Sequence, residues 1–401
     1  MKAPSVVVFC MPERGHVQRT LAVIESIARR GRRVYVLTDA EFAGMITGAG
    51  GTFVDLFEEG PLDDVDAESV PVPSRYVTFA ARRAHAVTRR ISGLSPGIIV
   101  YDTFAVIAHV VARLLGVPAV NVCACHALVP SRAIATVSGD PRVRTSAACH
   151  DAVTALREDF GIPDASPFSY LSGISPLLNL YGEPRQFLPE SDRVAFEPVA
   201  FFGSLSPNLH AAVSTASPFR DGDAFRIYVS FGTVVWRYFA STAGALLESL
   251  SIATADTQAD VVVSTAGQQL PADTLARIRR VGFRVERSVD QWSVLRHADL
   301  FVTHQGLNST HEAIWHGVPM LSCPFFADQP ALAERCRELG LAVPLWTAPE
   351  RSVDAESLRV KLAALQADTG QFRGRLVEAR QWESETIAGR DAVIDRLLAL
   401  A

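Results

Sequence analysis

Short apolar runs recur along the chain, each closed by glycine, proline or a polar turn and followed by a stretch with helical spacing. The first, Ser5–Cys10, predicts a strand buried on both faces. A helix is predicted from about His16 to Arg30, with Gly31 as its stop. Further strands are predicted at Val34–Leu37, at Thr52–Leu56 after a Gly-Ala-Gly-Gly break, at Ile98–Tyr101 and from Val117 to Val120, and a helix at Phe104–Leu115. Such β-α-β repetition predicts a parallel, doubly wound sheet.

From about Ser204 to Asp223 the chain is rich in Ser, Pro, Ala and Gly and loses its periodicity, as an interdomain linker does. The pattern then restarts. Strands are predicted at Arg226–Ser230, Asp260–Ser264, Arg284–Glu286, Leu300–Thr303 and Met320–Cys323, with a helix at Ala243–Ser251. A long helical region follows from about Thr369 to Ala401. The expected layout is a Rossmann-like domain over 1–205, a linker over 206–223, a second Rossmann-like domain over 224–385 and a terminal helix over 386–401. The two halves share layout, not sequence.

A length of 401 residues is too great for one ordinary core, which agrees with two domains. Hydrophobic content of 48% with 20% charged residues describes a globular, enzyme-like chain. The net charge of −5 gives no basic face for nucleic acid. The apolar run at Val6–Met11 is too short and wrongly flanked for a signal peptide. No run of about 18 apolar residues occurs, so no membrane span is expected. The six cysteines lack zinc-site spacing, and a reduced, cytoplasmic protein is the expectation.

The most informative stretch runs from Thr303 to Gln329. An apolar strand ends in the tight turn His304-Gln305-Gly306, and a helix opens at Asn308-Ser309-Thr310. The first turn of a helix carries unpaired N–H groups and partial positive charge, so a diphosphate sits there favourably. Glu312 lies one turn beyond Asn308 on the same face, where its carboxylate can accept bonds from sugar hydroxyls. Gly317-Val318-Pro319 ends the helix, and Asp328-Gln329 opens the next one from the same sheet edge. Such an edge is a site for a nucleotide-activated sugar.

The order and spacing of His304, Gly306, Asn308, Ser309, Glu312, Gly317, Val318, Pro319, Asp328 and Gln329 resemble the donor-binding signature of the family 1 glycosyltransferases. That group includes plant secondary-product glucosyltransferases and bacterial macrolide and antibiotic glycosyltransferases. The resemblance implies the GT-B architecture: an α/β fold of two facing Rossmann-like domains, with a long C-terminal helix crossing back to the first. Ser230, Gly232 and Thr233, directly after a strand, match the family's phosphate-side loop. Gln291 matches its base-recognition segment, but Asp290 stands for the common Pro and Ser288 for the base-stacking Trp, which leaves uracil versus thymine open. Trp292 is expected to face the core. Gln305 replaces a usually small residue, and its side chain is expected to matter less than the backbone turn.

Gly15-His16-Val17 falls where the family carries its catalytic base, and Asp102 where it places the carboxylate that orients that base. A neutral imidazole can take a hydroxyl proton while the carboxylate fixes its tautomer. The family's frequent Asn-Pro after the triplet is Gln18-Arg19 here. The implied reaction is an inverting transfer of a hexose from a UDP- or dTDP-sugar to a small natural product, as in antibiotic biosynthesis. Stretches 57–96 and 124–175 are expected to line the acceptor pocket, although core packing explains Phe79, Phe168, Tyr170 and Leu171 equally well. No metal or other cofactor is required, and Asp64-Val-Asp66 and Asp221-Gly-Asp223 are read as solvated acidic turns. The expected assembly is a monomer or homodimer. A glycosidase is disfavoured because no facing carboxylate pair is marked. Alternatives within the architecture are a sugar-nucleotide epimerase and a non-catalytic helper of a partner transferase.

Overall fold

The computed structural model describes residues 4–62, 74–123, 125–141, 143–206, 216–346 and 353–401. Two compact units divide the chain: Met1–Leu209 together with Glu385–Ala401, and His210–Ser384. Each is built on a sheet in which every strand pair is parallel.

In the first unit the strands are β1 (Ser5–Phe9), β2 (Val34–Thr38), β3 (Thr52–Asp55), β4 (Pro96–Asp102), β5 (Ala119–Cys123), β6 (Asn179–Tyr181) and β7 (Val199–Phe201). Their order is β3-β2-β1-β4-β5-β6-β7. Alternation along β1 sends Val7 and Phe9 to one face and Val6 and Val8 to the other, and both faces are covered. Helix Arg75–Ser92 packs Val77, Ala80, Ala84 and Val87 into the first layer. Helix Arg14–Arg29 packs Val17, Ile24 and Ile27 into the second.

The second unit contains β8 (Phe225–Ser230), β9 (Ala259–Ser264), β10 (Arg284–Glu286), β11 (Leu300–Thr303), β12 (Met320–Ser322) and β13 (Ala342–Pro344). Their order is β10-β9-β8-β11-β12-β13. The α/β class and the two Rossmann-like sheets read from the sequence are therefore present. The three-residue strands β6, β7 and β13 were not foreseen, because their length and flanking prolines and glycines look like loop.

The final helical region is two helices, Thr369–Ala388 and Arg390–Leu398, interrupted at Gly389, a poor helix former. The second belongs to the first unit. Its Ile394 and Leu397 join the core beside β1, and Arg390, itself buried, donates from Nε to the Phe202 carbonyl at 2.7 Å and from Nη2 to that of Gly203 at 3.2 Å. Among the described residues, no helix is long and apolar enough to cross a membrane.

Candidate active site

Both sheets reverse their strand order beside the first strand, and ligands of such sheets bind at that point, outside the carboxyl ends of the strands. In the first unit the reversal lies between β1 and β4. His16 sits in the first turns of the helix after β1, and Asp102 is the last residue of β4. Register pairs Phe9 with Tyr101, so the two exits are neighbours.

The Nδ1 of His16 lies 2.9 Å from Oδ1 of Asp102, whose side chain is 2% exposed. With a carboxylate accepting, Nδ1 carries the hydrogen and Nε2 presents a lone pair. The ring also rests on Phe104, with centroids 4.4 Å apart. Asp102 does more than orient the ring: Oδ2 accepts from the Met11 N–H at 2.7 Å and Oδ1 from the Phe104 N–H at 2.8 Å. It pins the β1 exit to the β4 exit.

Of the apolar residues named for the acceptor, Phe79, Tyr170 and Leu171 lie in the hydrophobic core of the first unit, and Phe168 packs against it. Core packing accounts for them.

In the second unit the reversal lies between β8 and β11, and register pairs Ser230 with Thr303. The turn after β8 thus meets the turn after β11. Gly232 has φ +69, and a Cβ there would come within 2.8 Å of His304 Nε2. A Cβ on Gly306 would also collide with that ring. The imidazole is therefore clasped between two glycines, and burial pushes its pKa down to about 4, although a hydrogen bond to the Ser230 backbone opposes the shift. Near neutral pH the ring is uncharged.

Helix Leu307–His316 opens at Gly306 with no side-chain cap and closes at Gly317, φ +71, the left-handed stop expected of a glycine. Its first turn presents Asn308 and Ser309. Thr233 is exposed, whereas Ser230 is buried.

Thr310, which at a helix terminus is expected to add a side-chain donor for a diphosphate, is turned inward instead. Its fully buried Oγ1 donates to the Gly306 carbonyl at 3.0 Å and accepts from Gln305 Nε2 at 2.9 Å, so it braces the turn instead of facing a ligand. The expectation for Gln305 is corrected too. Its φ of +60 is a strained choice for a residue with a Cβ, and its buried amide is held by Thr310 and Ser322. The side chain fixes the turn.

Gln291 is likewise committed internally. Its Nε2 donates to Glu312 Oε2 at 2.7 Å and Ser309 Oγ at 3.1 Å, while its Oε1 accepts from Tyr228 at 3.4 Å. Reading a base requires these bonds to be exchanged. Burial, with Asp290 adding to it, raises the Glu312 pKa to about 7 although the Gln291 bond opposes the shift. Near neutral pH this carboxyl changes between donor and acceptor.

Asp328 is half-buried at the start of helix Gln329–Glu338. Gln329 is buried, and its Oε1 accepts from the backbone N–H groups of Phe325 at 2.8 Å and Phe326 at 3.3 Å. It holds the loop after β12.

Trp292 is buried, edge-on to His316, as its amphipathic setting predicted. Ser288 is exposed. Sequence reasoning missed the ion pair His311–Glu383, fully buried, which ties the helix of the signature to helix Thr369–Ala388. A histidine next to Glu312 on a mostly buried helix was the only sign of it.

Asp221-Gly-Asp223 is solvent-exposed, and Asp64-Val-Asp66 lies outside the described residues. Among the described residues no group of His, Cys, Asp or Glu is placed to hold a metal ion. All six cysteines are buried, and none forms a disulfide.

A family model described as "UDP-glucoronosyl and UDP-glucosyl transferase" matches residues 215–360. NDP-glycosyltransferase YjiC of Bacillus subtilis (strain 168) is 27% identical over 377 residues, spanning 92% of this chain and 90% of its own. Oleandomycin glycosyltransferase of Streptomyces antibioticus is 26% identical over 430 residues, spanning 98% and 95%. The solved structure of the glycotransferase of kitacinnamycin superposes with a TM-score of 0.76 at 24% identity, covering 99% of this chain and 100% of that one. The donor signature, the two switch points and these relatives converge: the chain has the GT-B fold and is similar to the family 1 glycosyltransferases.

Proposed function

We propose that the chain is an inverting, metal-independent hexosyltransferase that moves a sugar from a UDP- or dTDP-sugar to a hydroxyl of a lipophilic natural product. The observation that carries this reading is the His16–Asp102 hydrogen bond, which leaves Nε2 as a proton acceptor. The acceptor oxygen attacks the anomeric carbon, its proton passes to Nε2, and the nucleoside diphosphate leaves from the opposite face. Attack opposite the leaving group inverts the anomeric centre. The charge released falls on the first turn of helix Leu307–His316 and on neutral His304, fixed dipoles that stand where a cation would otherwise be needed. The names of the relatives support the acceptor class, since one glycosylates oleandomycin and another belongs to kitacinnamycin.

A screen of UDP- and dTDP-sugars against macrolide, polyketide and phenolic acceptors, read by mass spectrometry, tests the reading. Transfer is expected in EDTA as well as without it. Loss of transfer in chelator with recovery in Mg²⁺ or Mn²⁺ overturns metal independence, and absence of any transfer overturns the function.

The sugar and the diphosphate are held by different groups in this reading. Asp328→Ala is expected to spoil transfer and sugar discrimination while leaving nucleoside diphosphate affinity almost unchanged. Ser309→Ala is expected to weaken both ligands. A lost bond to a charged group is worth roughly 1.5–3 kcal/mol, a tenfold change or more in calorimetric titration. Equal weakening of both ligands by Asp328→Ala contradicts this division. Gln329→Ala is no clean companion, because it also frees the loop at Phe325 and Phe326.

A further inference from the structure

Arg19 lies on the helix after β1, three residues beyond His16 and on the same face. Its side chain is 6% exposed, yet Nε and Nη1 are buried with no hydrogen-bond partner among the described residues. Leaving buried donors of a cation unpaired is costly, and native structures keep such groups only where something else satisfies them. The stem of Arg19 crosses to the carboxyl ends of β5 and β6. A Cβ on Gly182 would come within 3.0 Å of its Cδ and 3.4 Å of the Cys123 carbonyl, so a glycine makes room for the stem. The adjoining carboxylate, Glu183, is fully buried and paired with His126 Nδ1 at 2.8 Å. A second orphan stands at the same edge: Ser204 Oγ is buried without a partner, just past β7, where the Gly203 N–H donates to the Tyr181 carbonyl.

We infer that Arg19 is an oxyanion-binding residue on the acceptor side, taking the carboxylate of an acidic acceptor whose hydroxyl is presented to His16. The inference rests on His16 being the base. A guanidinium offers two parallel N–H donors to a carboxylate, and a serine hydroxyl adds a third. Side chains one helical turn apart set the spacing, so the acid and the reacting hydroxyl belong on opposite ends of a small rigid unit such as a ring.

The test uses 4-hydroxybenzoate and 4-hydroxybenzamide, which share shape and hydroxyl and differ in charge. Calorimetric titration of the full chain is expected to show at least tenfold tighter binding of the acid. Arg19→Met should reduce that ratio to near one, and Arg19→Lys should keep part of it. Thermal melting checks that both variants fold; Arg19→Met, which removes buried unpaired donors, is expected to melt no lower than the parent. Equal or undetectable binding of the two probes to the parent overturns the inference, as does a preference that survives Arg19→Met. Inorganic pyrophosphate is the third ligand. If Arg19→Met weakens pyrophosphate and not the acid preference, the residue serves the leaving group and the assignment is wrong. Binding is read without turnover, so an acid preference in a chain that transfers no sugar refutes the proposed function and leaves Arg19 standing.

Discussion

His16→Ala is expected to lower turnover on a hydroxyl acceptor by about 10²-fold or more while nucleoside diphosphate binding stays nearly intact. Positioned proton transfer contributes about that much, and His16 belongs to a different unit from the donor signature. Near-normal turnover in steady-state kinetics on a hydroxyl acceptor would remove His16 from the reaction. Asp102→Asn is expected to match or exceed this loss. The carboxylate accepts from three donors, His16 Nδ1 and the N–H groups of Met11 and Phe104. An amide supplies one oxygen and sets an NH₂ against the rest, leaving a buried donor unpaired at a cost of about 1–3 kcal/mol. The variant therefore loosens the β1 and β4 exits as well as the ring. A lower melting temperature for Asp102→Asn, alongside an unchanged one for His16→Ala, is the signature of that second role.

Gly232→Ala is expected to weaken both nucleoside diphosphate and intact donor by tenfold or more. Two costs combine. The left-handed backbone at φ +69 disfavours any residue with a Cβ, by about 1–2 kcal/mol, and that Cβ would push on the His304 ring. In the proposed reading that ring serves the diphosphate, so displacing it weakens both ligands. The double variant with His304→Ala separates the costs: once the ring is gone, adding Gly232→Ala should do less harm than it does alone, because only the backbone term remains. Strictly additive losses in calorimetric titration would show that the glycine does not hold the ring.

The sequence by itself determined the architecture and the places of the site. Runs such as Ser5–Phe9 and Leu300–Thr303 are apolar on both faces, a pattern that only a sheet covered on both sides can bury. A strand followed by glycine and then a helix announces where a ligand can reach backbone N–H groups, so His304, Gly306, Ser309 and Glu312 could be placed from spacing. The three-residue strands β6, β7 and β13 left no such trace, although β10, equally short, did.

Only the tertiary structure decided what each side chain does there. Thr310 and Gln305 read as ligand-facing and incidental; packing turned both inward, into one brace in which Gln305 bonds Thr310 and also Ser322 on the next strand. Gln291 read as a match to a base-recognition segment, and folding sets its amide against Tyr228, Ser309 and Glu312. Arg19 read as a departure from a family pattern, and its significance lies in burial without a partner. The reason is the range of the forces. Strand and helix follow from neighbours a few residues apart, which the sequence displays directly. A polar side chain answers to whichever groups folding brings within about 3 Å, and for Glu383 and His311 those groups are 72 residues apart.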